Sequence, residues 1–270
     1  MRKTVIITGT SSGFGKLSAK KFQQEGWNVI ATMRNPEKET ELHLLDHVLL
    51  CQLDVADNQS IKKAIAEGIK HFGKIDVLVN NAGYVVAGVT EEIPEEDIRR
   101  QFDVNLFGAL NTMKAILPHF RANKSGTIIN VSSVGGKITT PFMAVYQASK
   151  FAIEGLTEAM QYELNPFNIK LKLIEPGAFN TNLGTSMSFT PTKNESDYKN
   201  ILDKAMAGYA KWGEQQQNPQ EVADAIFSAC TDGTEQFRYP VGADAIQILA
   251  ARNQMDDVEF KSMIAQTMDL

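Results

Sequence analysis

The chain has 270 residues, of which 43% are apolar and 22% charged, a composition that suits a globular protein able to bury a large core without disulfide or metal staples. Its formal net charge of −5 comes with scattered basic residues and no basic stripe, which argues against a nucleic-acid surface. No apolar run reaches the length of about 18 residues that a membrane span requires. Cys51 and Cys230 each sit in an apolar run outside any Cys-x-x-Cys pair, so free buried thiols, a reducing compartment and no structural metal are expected. Met1-Arg2-Lys3 leads straight into a strand pattern with no long apolar leader, and a cytoplasmic protein is expected.

In chain order, short β-branched runs recur at Thr4–Thr8, Val29–Thr32, Val48–Leu53, Val77–Val79, Thr127–Val131 and Leu171–Ile174. Nearly continuous apolar runs of this length suit strands buried on both faces of a parallel sheet. Helical patterns lie between them. Leu17 to Phe22 leads to Gly26, a helix stop, and Ile61, Ile65 and Ile69 follow a Ser60 cap at spacing four. Residues 95–120 and 144–164 are longer amphipathic stretches, the second ending before Pro166. After Pro176-Gly177 the pattern is lost: residues 178–218 read as polar and irregular, dotted with aromatic residues, and a lid over a site is expected there. A helix from Pro219 to Cys230, a strand near Phe237–Val241 and a C-terminal helix carrying Met255, Val258, Met263 and Ile264 complete the chain. The alternation predicts an α/β protein whose residues 1–270 form a single domain, with a doubly wound parallel sheet of about seven strands and helices on both faces.

Two local patterns carry chemistry. Gly9, Ser11, Ser12, Gly13, Phe14 and Gly15 follow the first strand and open the first helix, where glycines permit a tight turn and free N–H groups offer a pyrophosphate site. Tyr146 and Lys150, four apart on a predicted helix, share one face, so an ammonium is placed to stabilise a phenolate. A serine-hydrolase elbow is absent, and His43, His47, His71 and His119 lie outside these patterns as expected surface residues with no supporting ligand set for a metal.

With these patterns the chain resembles the short-chain dehydrogenase/reductase family over nearly its whole length. The TGxxxGxG motif matches residues 8–15, NNAG matches Asn80-Asn81-Ala82-Gly83, and PG matches Pro176-Gly177. The catalytic tetrad matches Asn105, Ser133, Tyr146 and Lys150. The resemblance implies a Rossmann fold binding a nicotinamide dinucleotide, with Asp54 and Val55 at the adenine and Asn81, Ala82 and Gly83 along the cofactor. Pro176, Gly177 and Phe179 would lie nearby, with Thr181 reaching the nicotinamide amide. It implies Tyr146 as general acid or base, Lys150 lowering the phenol pKa and holding the ribose, and Ser133 polarising the substrate oxygen. Asn105 would hold a relay water through a local backbone distortion. Where an acidic residue after the second strand would favour NAD(H), this chain has Arg34, a planar fork suited to a 2′-phosphate, with Ser11 or Ser12 adding donors. NADP(H) is therefore expected.

Val85, Val86, Phe142, Met143, Phe179, Met187, Phe189, Tyr209 and Trp212 are expected to line an apolar pocket for a hydrophobic carbonyl or secondary alcohol. Two stretches, Ala31-Thr32-Met33-Arg34 and Arg238-Tyr239-Pro240-Val241-Gly242, resemble the steroid and retinoid dehydrogenase branch of the family. The resemblance also implies a homodimer or homotetramer built on the two long helices. An NAD-preferring dehydrogenase and a non-catalytic NADP(H) sensor are the alternatives.

Overall fold

Strand β1 (Thr4–Thr8) is flanked by β2 (Asn28–Met33) on one side and β4 (Val77–Asn80) on the other, and this split neighbourhood organises the sheet. The computed structural model describes residues 2–179, 187–213 and 217–270. With β3 (Val48–Gln52), β6 (Gly126–Val131), β7 (Ile169–Pro176) and β9 (Arg238–Val241), these strands form one parallel seven-stranded sheet in the order β3-β2-β1-β4-β6-β7-β9. The chain direction of winding reverses between β1 and β4, and such reversals open a crevice at the carboxyl ends of the strands.

Side chains alternate across each strand and fill two layers. Ile6, Ile30, Leu78 and Ile128 pack with Ile61 and Ile65 of α2 (Asn58–Phe72), Met113 and Ile116 of α4 (Ala109–Asn123), and Ile153 of α5 (Ala144–Leu164). Their neighbours Val5, Ile7, Val29 and Ile129 point the other way. There they meet Phe22 of α1 (Gly13–Gln24) and Ile226 of α7 (Gln220–Thr231). The short apolar runs are thus buried on both faces, as their lack of alternation required. No described helix is long and apolar enough to cross a membrane.

Several local readings are corrected. Asp57, not Ser60, caps α2: its Oδ1 accepts from Gln59 N at 2.8 Å, while Ser60 Oγ bonds back to the carbonyls of Asp54 and Asp57. The long amphipathic stretch beginning at 95 is interrupted. Helix α3 (Glu95–Phe102) passes through a π-helical turn, Asp103–Gly108, before α4. Two strands of three residues each, β5 (Val85–Ala87) and β8 (Met187–Phe189), pair in parallel as a second small sheet. The stretch read as irregular contains a 15-residue helix, α6 (Lys199–Gly213), whose Leu202 and Ala205 are buried. The C-terminal segment holds two helices, α8 (Ala243–Gln254) and α9 (Asp257–Thr267). Asp256 caps α9 in a capping box with Glu259, so Phe260 and Ile264 face inward and Val258 is 73% exposed.

A polar chain runs through the inner layer beneath the crevice. Asn80 Nδ2 donates to Asn130 Oδ1, and Asn130 Nδ2 donates to Thr157 Oγ1, both at 2.8 Å. It ties β4, β6 and α5 together where a mismatch would leave a buried amide unpaired. Thr157→Val removes the acceptor for Asn130 and is expected to cost about 1–3 kcal/mol in urea denaturation, the usual penalty of an orphaned buried donor. An unchanged midpoint would show that Asn130 finds another partner.

Candidate active site

The first loop of the crevice is built by crowding. Gly9 and Gly13 have φ of +73° and +54°, in the left-handed region that glycine tolerates. A Cβ on Gly15 would lie 2.3 Å from Gly9 O and 2.5 Å from Asn81 Nδ2, so no side chain fits. Asn81 Nδ2 donates to Thr8 O and Gly9 O at 2.9 and 3.1 Å, while Thr8 Oγ1 accepts from Asn81 N and Ala82 N, each at 3.0 Å. The glycine loop and the Asn81–Gly83 segment are therefore one bolted unit at the ends of β1 and β4. Ser11 and Ser12 are exposed beside it, at the N-terminus of α1.

A cavity of about 650 Å³ opens from this unit across the carboxyl ends of the strands. Arg34, at the end of β2, lines it and is exposed, with no ion-pair partner among the described residues. Asp54 and Val55 line the same end. Asp54 Oδ1 accepts from Ala56 N at 3.0 Å, and Val55 is buried against Gly108, where a Cβ would lie 2.7 Å from Val55 Cγ2. Pro176 and Gly177 form the floor beyond β7, and Gly177 is kept bare by Asp244, whose Oδ1 would lie 2.0 Å from a Cβ. Phe179 is buried under this region, edge-on to Phe14 with centroids 5.7 Å apart. Thr181 lies outside the described residues.

Ser133, Tyr146 and Lys150 line one wall. Ser133 follows β6 and its Oγ accepts from Gly135 N at 3.0 Å, which fixes the hydroxyl. Burial pushes the Tyr146 phenol above its ordinary pKa, and a hydrogen-bonding contact with Ser133 offsets part of that rise. Burial lowers Lys150 to about 8, opposed by the charge of Glu154. The sequence reading had the ammonium lowering the phenol pKa. In the structure Lys150 Nζ donates to Val131 O at 2.9 Å and stands 5.8 Å from the Tyr146 ring centroid, so desolvation dominates the phenol.

Asn105 sits in the π-helical turn and is 4% exposed, outside the cavity lining. Its Oδ1 accepts from Tyr84 N at 3.1 Å, and its Nδ2 donates to Tyr84 O at 3.0 Å and to Ser149 Oγ at 3.2 Å. Its side chain thus clamps the backbone next to Gly83 and joins it to the helix of Tyr146.

The expected substrate residues separate. Val85 and Met187, paired across β5 and β8, line the cavity. Val86 points away into a small core with Ile93 and Val145 because neighbours on a strand face opposite sides. Phe189 pairs with Ala87 outside the lining. Phe142 and Met143 also lie outside it: Phe142 adopts φ +60° and its carbonyl accepts from Gly88 N at 2.9 Å, while Met143 precedes α5. Tyr209 faces the loop before α5, with its Oη donating to Pro141 O at 2.8 Å and lying 2.6 Å from Thr140 Oγ1. Trp212 packs with Ile138, Ile248 and Phe260. Both belong to the inner face of α6, which docks on the body of the protein. His119 is likewise no free surface group, since its Nε2 accepts from Ile75 N at 3.1 Å and burial lowers its pKa.

The sequence reading missed Tyr84, Asp97, Arg100 and Val104, all of which line the cavity. The last three recur at spacings of three and four, one face of a helix, which was the available signal. The Arg100 guanidinium lies 5.8 Å from the Tyr84 ring centroid.

Residues 3–191 match the family model for short chain dehydrogenase. The chain belongs to the short-chain dehydrogenase/reductase family. It is similar to a 3-ketodihydrosphingosine reductase of Bacteroides thetaiotaomicron, with 35% identity over 93% of this chain and 91% of that protein. A short-chain dehydrogenase from Streptomyces avermitilis superposes with a TM-score of 0.84 at 30% identity, over 100% of this chain and 98% of that one. ElxO with NADP bound superposes with a TM-score of 0.77 at 26% identity, over 92% and 100%. As a short-chain dehydrogenase/reductase the protein is an oxidoreductase with a Rossmann-type sheet, and the family uses nicotinamide cofactors.

Such a dinucleotide suits the cleft: glycines that exclude side chains stand at a helix N-terminus, and the Arg34 guanidinium, unpaired among the described residues, lies within the same cavity. Gly15→Ala forces the loop to shift against Gly9 O and Asn81 Nδ2. Fluorescence titration is expected to show weaker NADPH binding by tenfold or more, about 1.4 kcal/mol, with the circular dichroism of the folded chain retained. Unaltered binding would remove the loop from the cofactor site.

Proposed function

We propose that the protein is an NADP(H)-dependent carbonyl reductase, able to run in reverse as an alcohol dehydrogenase, with Tyr146 as its general acid and base. The observation that carries this reading is one cavity wall presenting Ser133 and Tyr146 with Lys150 one helical turn behind. Ser133 Oγ, held by Gly135 N, would hydrogen-bond the substrate oxygen, and Tyr146 would donate its phenolic proton to that oxygen as negative charge develops. Lys150 would favour the resulting phenolate, while Asn105 holds the Tyr84 backbone and the start of the opposite wall. Bound NADPH supplies the hydride to the carbonyl carbon.

The glycine loop with Ser11, Ser12 and Phe14 would hold the pyrophosphate, and Asp54 and Val55 the adenine. Asn81, Ala82, Gly83, Pro176 and Gly177 would flank the remainder, with Phe179 beneath and Thr181 assigned by resemblance alone. Arg34 would take the 2′-phosphate, since its guanidinium is exposed within the cavity and unpaired among the described residues. The bound NADP of ElxO supports that preference. Val85, Met187 and Tyr84 suit a hydrophobic ketone, and the name of the Bacteroides relative supports ketone reduction. Phe107, Phe151 and Tyr162 are 49%, 44% and 82% exposed on the helical run bearing Asn105 and Tyr146, which supports a homodimer or homotetramer.

Tyr146→Phe removes the proton donor while keeping the ring, and turnover of a ketone panel with NADPH is expected to fall about 10²- to 10⁴-fold with coenzyme affinity retained. Wild-type turnover in that variant would sink the tyrosine mechanism. Arg34→Ala is expected to weaken NADPH binding roughly 10- to 100-fold, the worth of a charged hydrogen bond, and to leave NADH unaffected. Equal losses for the two coenzymes would assign Arg34 another role.

A further inference from the structure

Three buried side-chain oxygens without hydrogen-bond partners converge behind the reactive wall: Ser132 Oγ, Glu154 Oε1 and Glu175 Oε1. Ser132 precedes Ser133, Glu154 follows Lys150 by one turn of α5, and Glu175 precedes Pro176-Gly177. The turn after Ser133 packs directly on this cluster, because a Cβ on Gly136 would lie 2.7 Å from Ser132 Oγ and 2.9 Å from Glu154 Cγ. The Glu154 and Glu175 side chains are 5% and 2% exposed.

Among the described residues one guanidinium serves both acids. Arg238 of β9 places Nε 3.1 Å from Glu154 Oε2 and 3.3 Å from Glu175 Oε1, the second contact being too poorly aligned for a hydrogen bond. Its Nη2 is taken by Glu158 at 2.7 Å. The other charges acting on the cluster are Lys137, on the turn after Ser133, and Lys150 itself. Burial first, and then the charge of the neighbouring Glu154, push Glu175 up to about 7, and Arg238 Nε, within 3.3 Å of an oxygen of each, sets the two carboxyls side by side. Two adjacent buried carboxylates repel each other, which favours the protonated form of the one that burial already raises.

We infer that Glu175 carries a proton near neutral pH beside the Glu154 carboxylate, and that this acid pair is a positioning element that sustains the charge of Lys150. The proton on Glu175 stands apart from the reaction proposed above, whereas the effect of the pair on Lys150 rests on that reaction. With the proton on Glu175, Glu154 keeps its negative charge one turn from Lys150 and opposes the burial that depresses the ammonium.

The two acids then respond differently to neutralisation. Glu175→Gln mimics the protonated member and is expected to leave the pH–kcat profile close to wild type. Glu154→Gln removes the charge that supports Lys150 and is expected to move the alkaline limb of that profile down by about one pH unit, a tenfold change in proton affinity. Two measurements need no turnover. Infrared spectra of the wild-type protein at pH 7 are expected to contain a protonated carboxylic-acid C=O band that is lost in Glu175→Gln. Stability supplies the second. Glu175 holds its proton more tightly folded than unfolded, so its contribution is full below pH 4.5 and falls as pH rises towards 7. Glu175→Gln is expected to abolish that fall. A missing band, or an unaltered slope, overturns the proton on Glu175. Equal shifts of the rate profile in both variants, or none in Glu154→Gln, overturn the link to Lys150. Should Glu154→Gln fail to fold, Glu154→Asp tests the link, since a carboxylate there is expected to restore the wild-type limb and an Asp variant with a limb lowered by a full unit overturns it.

Discussion

Everything at the crevice depends on how closely the ends of β1 and β4 approach each other. Asn81 spans the gap with one amide nitrogen shared between Thr8 O and Gly9 O, and Thr8 Oγ1 accepts two hydrogen bonds from the opposite backbone. That approach leaves no room for a Cβ at Gly15. Backbone crowding here has an electrostatic result. With side chains excluded, the N-terminus of α1 faces the cavity directly, and its unpaired N–H groups are available to an anion. The same bolt sets the start of the Gly83–Val85 wall, so the glycine loop and that wall are joined at their base.

Burial sets the electrostatics of the opposite wall. It raises the Tyr146 phenol and lowers Lys150, so the lysine, ordinarily the slightly weaker acid of the two, becomes the stronger. A phenol that is too acidic would be ionised at working pH and have no proton to give, and a lysine that is too basic would never yield a proton. Desolvation therefore keeps the proton on the phenol, against the lowering that the sequence motif credits to the ammonium. Glu154 acts in the opposite sense on Lys150, and its own position is dictated by the helical repeat that also carries the lysine.

The strands with apolar side chains on both faces were readable because a doubly covered sheet leaves no alternation to confuse with a surface strand. The glycine loop, Asn81 and the Tyr146–Lys150 pair were readable because each imposes a spacing on the chain. Helix α6 was overlooked although Leu202, Ala205, Tyr209 and Trp212 recur at three, four and three residues, a regular helical stripe. Polar residues around that stripe gave it a disordered look, and the aromatic pair was assigned to a pocket instead of to docking. Strands β5 and β8 were beyond reach for a different reason. Three residues are too few for a period, and their pairing joins segments about a hundred positions apart. Aromatic content identifies a segment that packs, but does not say against what.

The small β5–β8 sheet ties one wall of the cavity to the turn before α5. Val85 and Met187 face the cavity across one rung, and the next residues along β5 turn into Gly88. Gly88 N donates to Phe142 O, where a bulky residue is held at φ +60°, a conformation that survives only when its surroundings enforce it. Thr190 N in turn donates to Ala87 O, and a Cβ on Gly88 would press on Thr190 at 3.1 Å. The strand therefore grips the segment after β8 on one side and the turn leading into α5 on the other. Tyr209 adds a second tie from α6 to that same turn, through Thr140 and Pro141. Side chains on β8 can vary and reshape the cavity without touching Ser133 or Tyr146, because these ties are made largely by backbone. The turn before α5 is the place where a change in that wall would be transmitted to the helix that carries Tyr146.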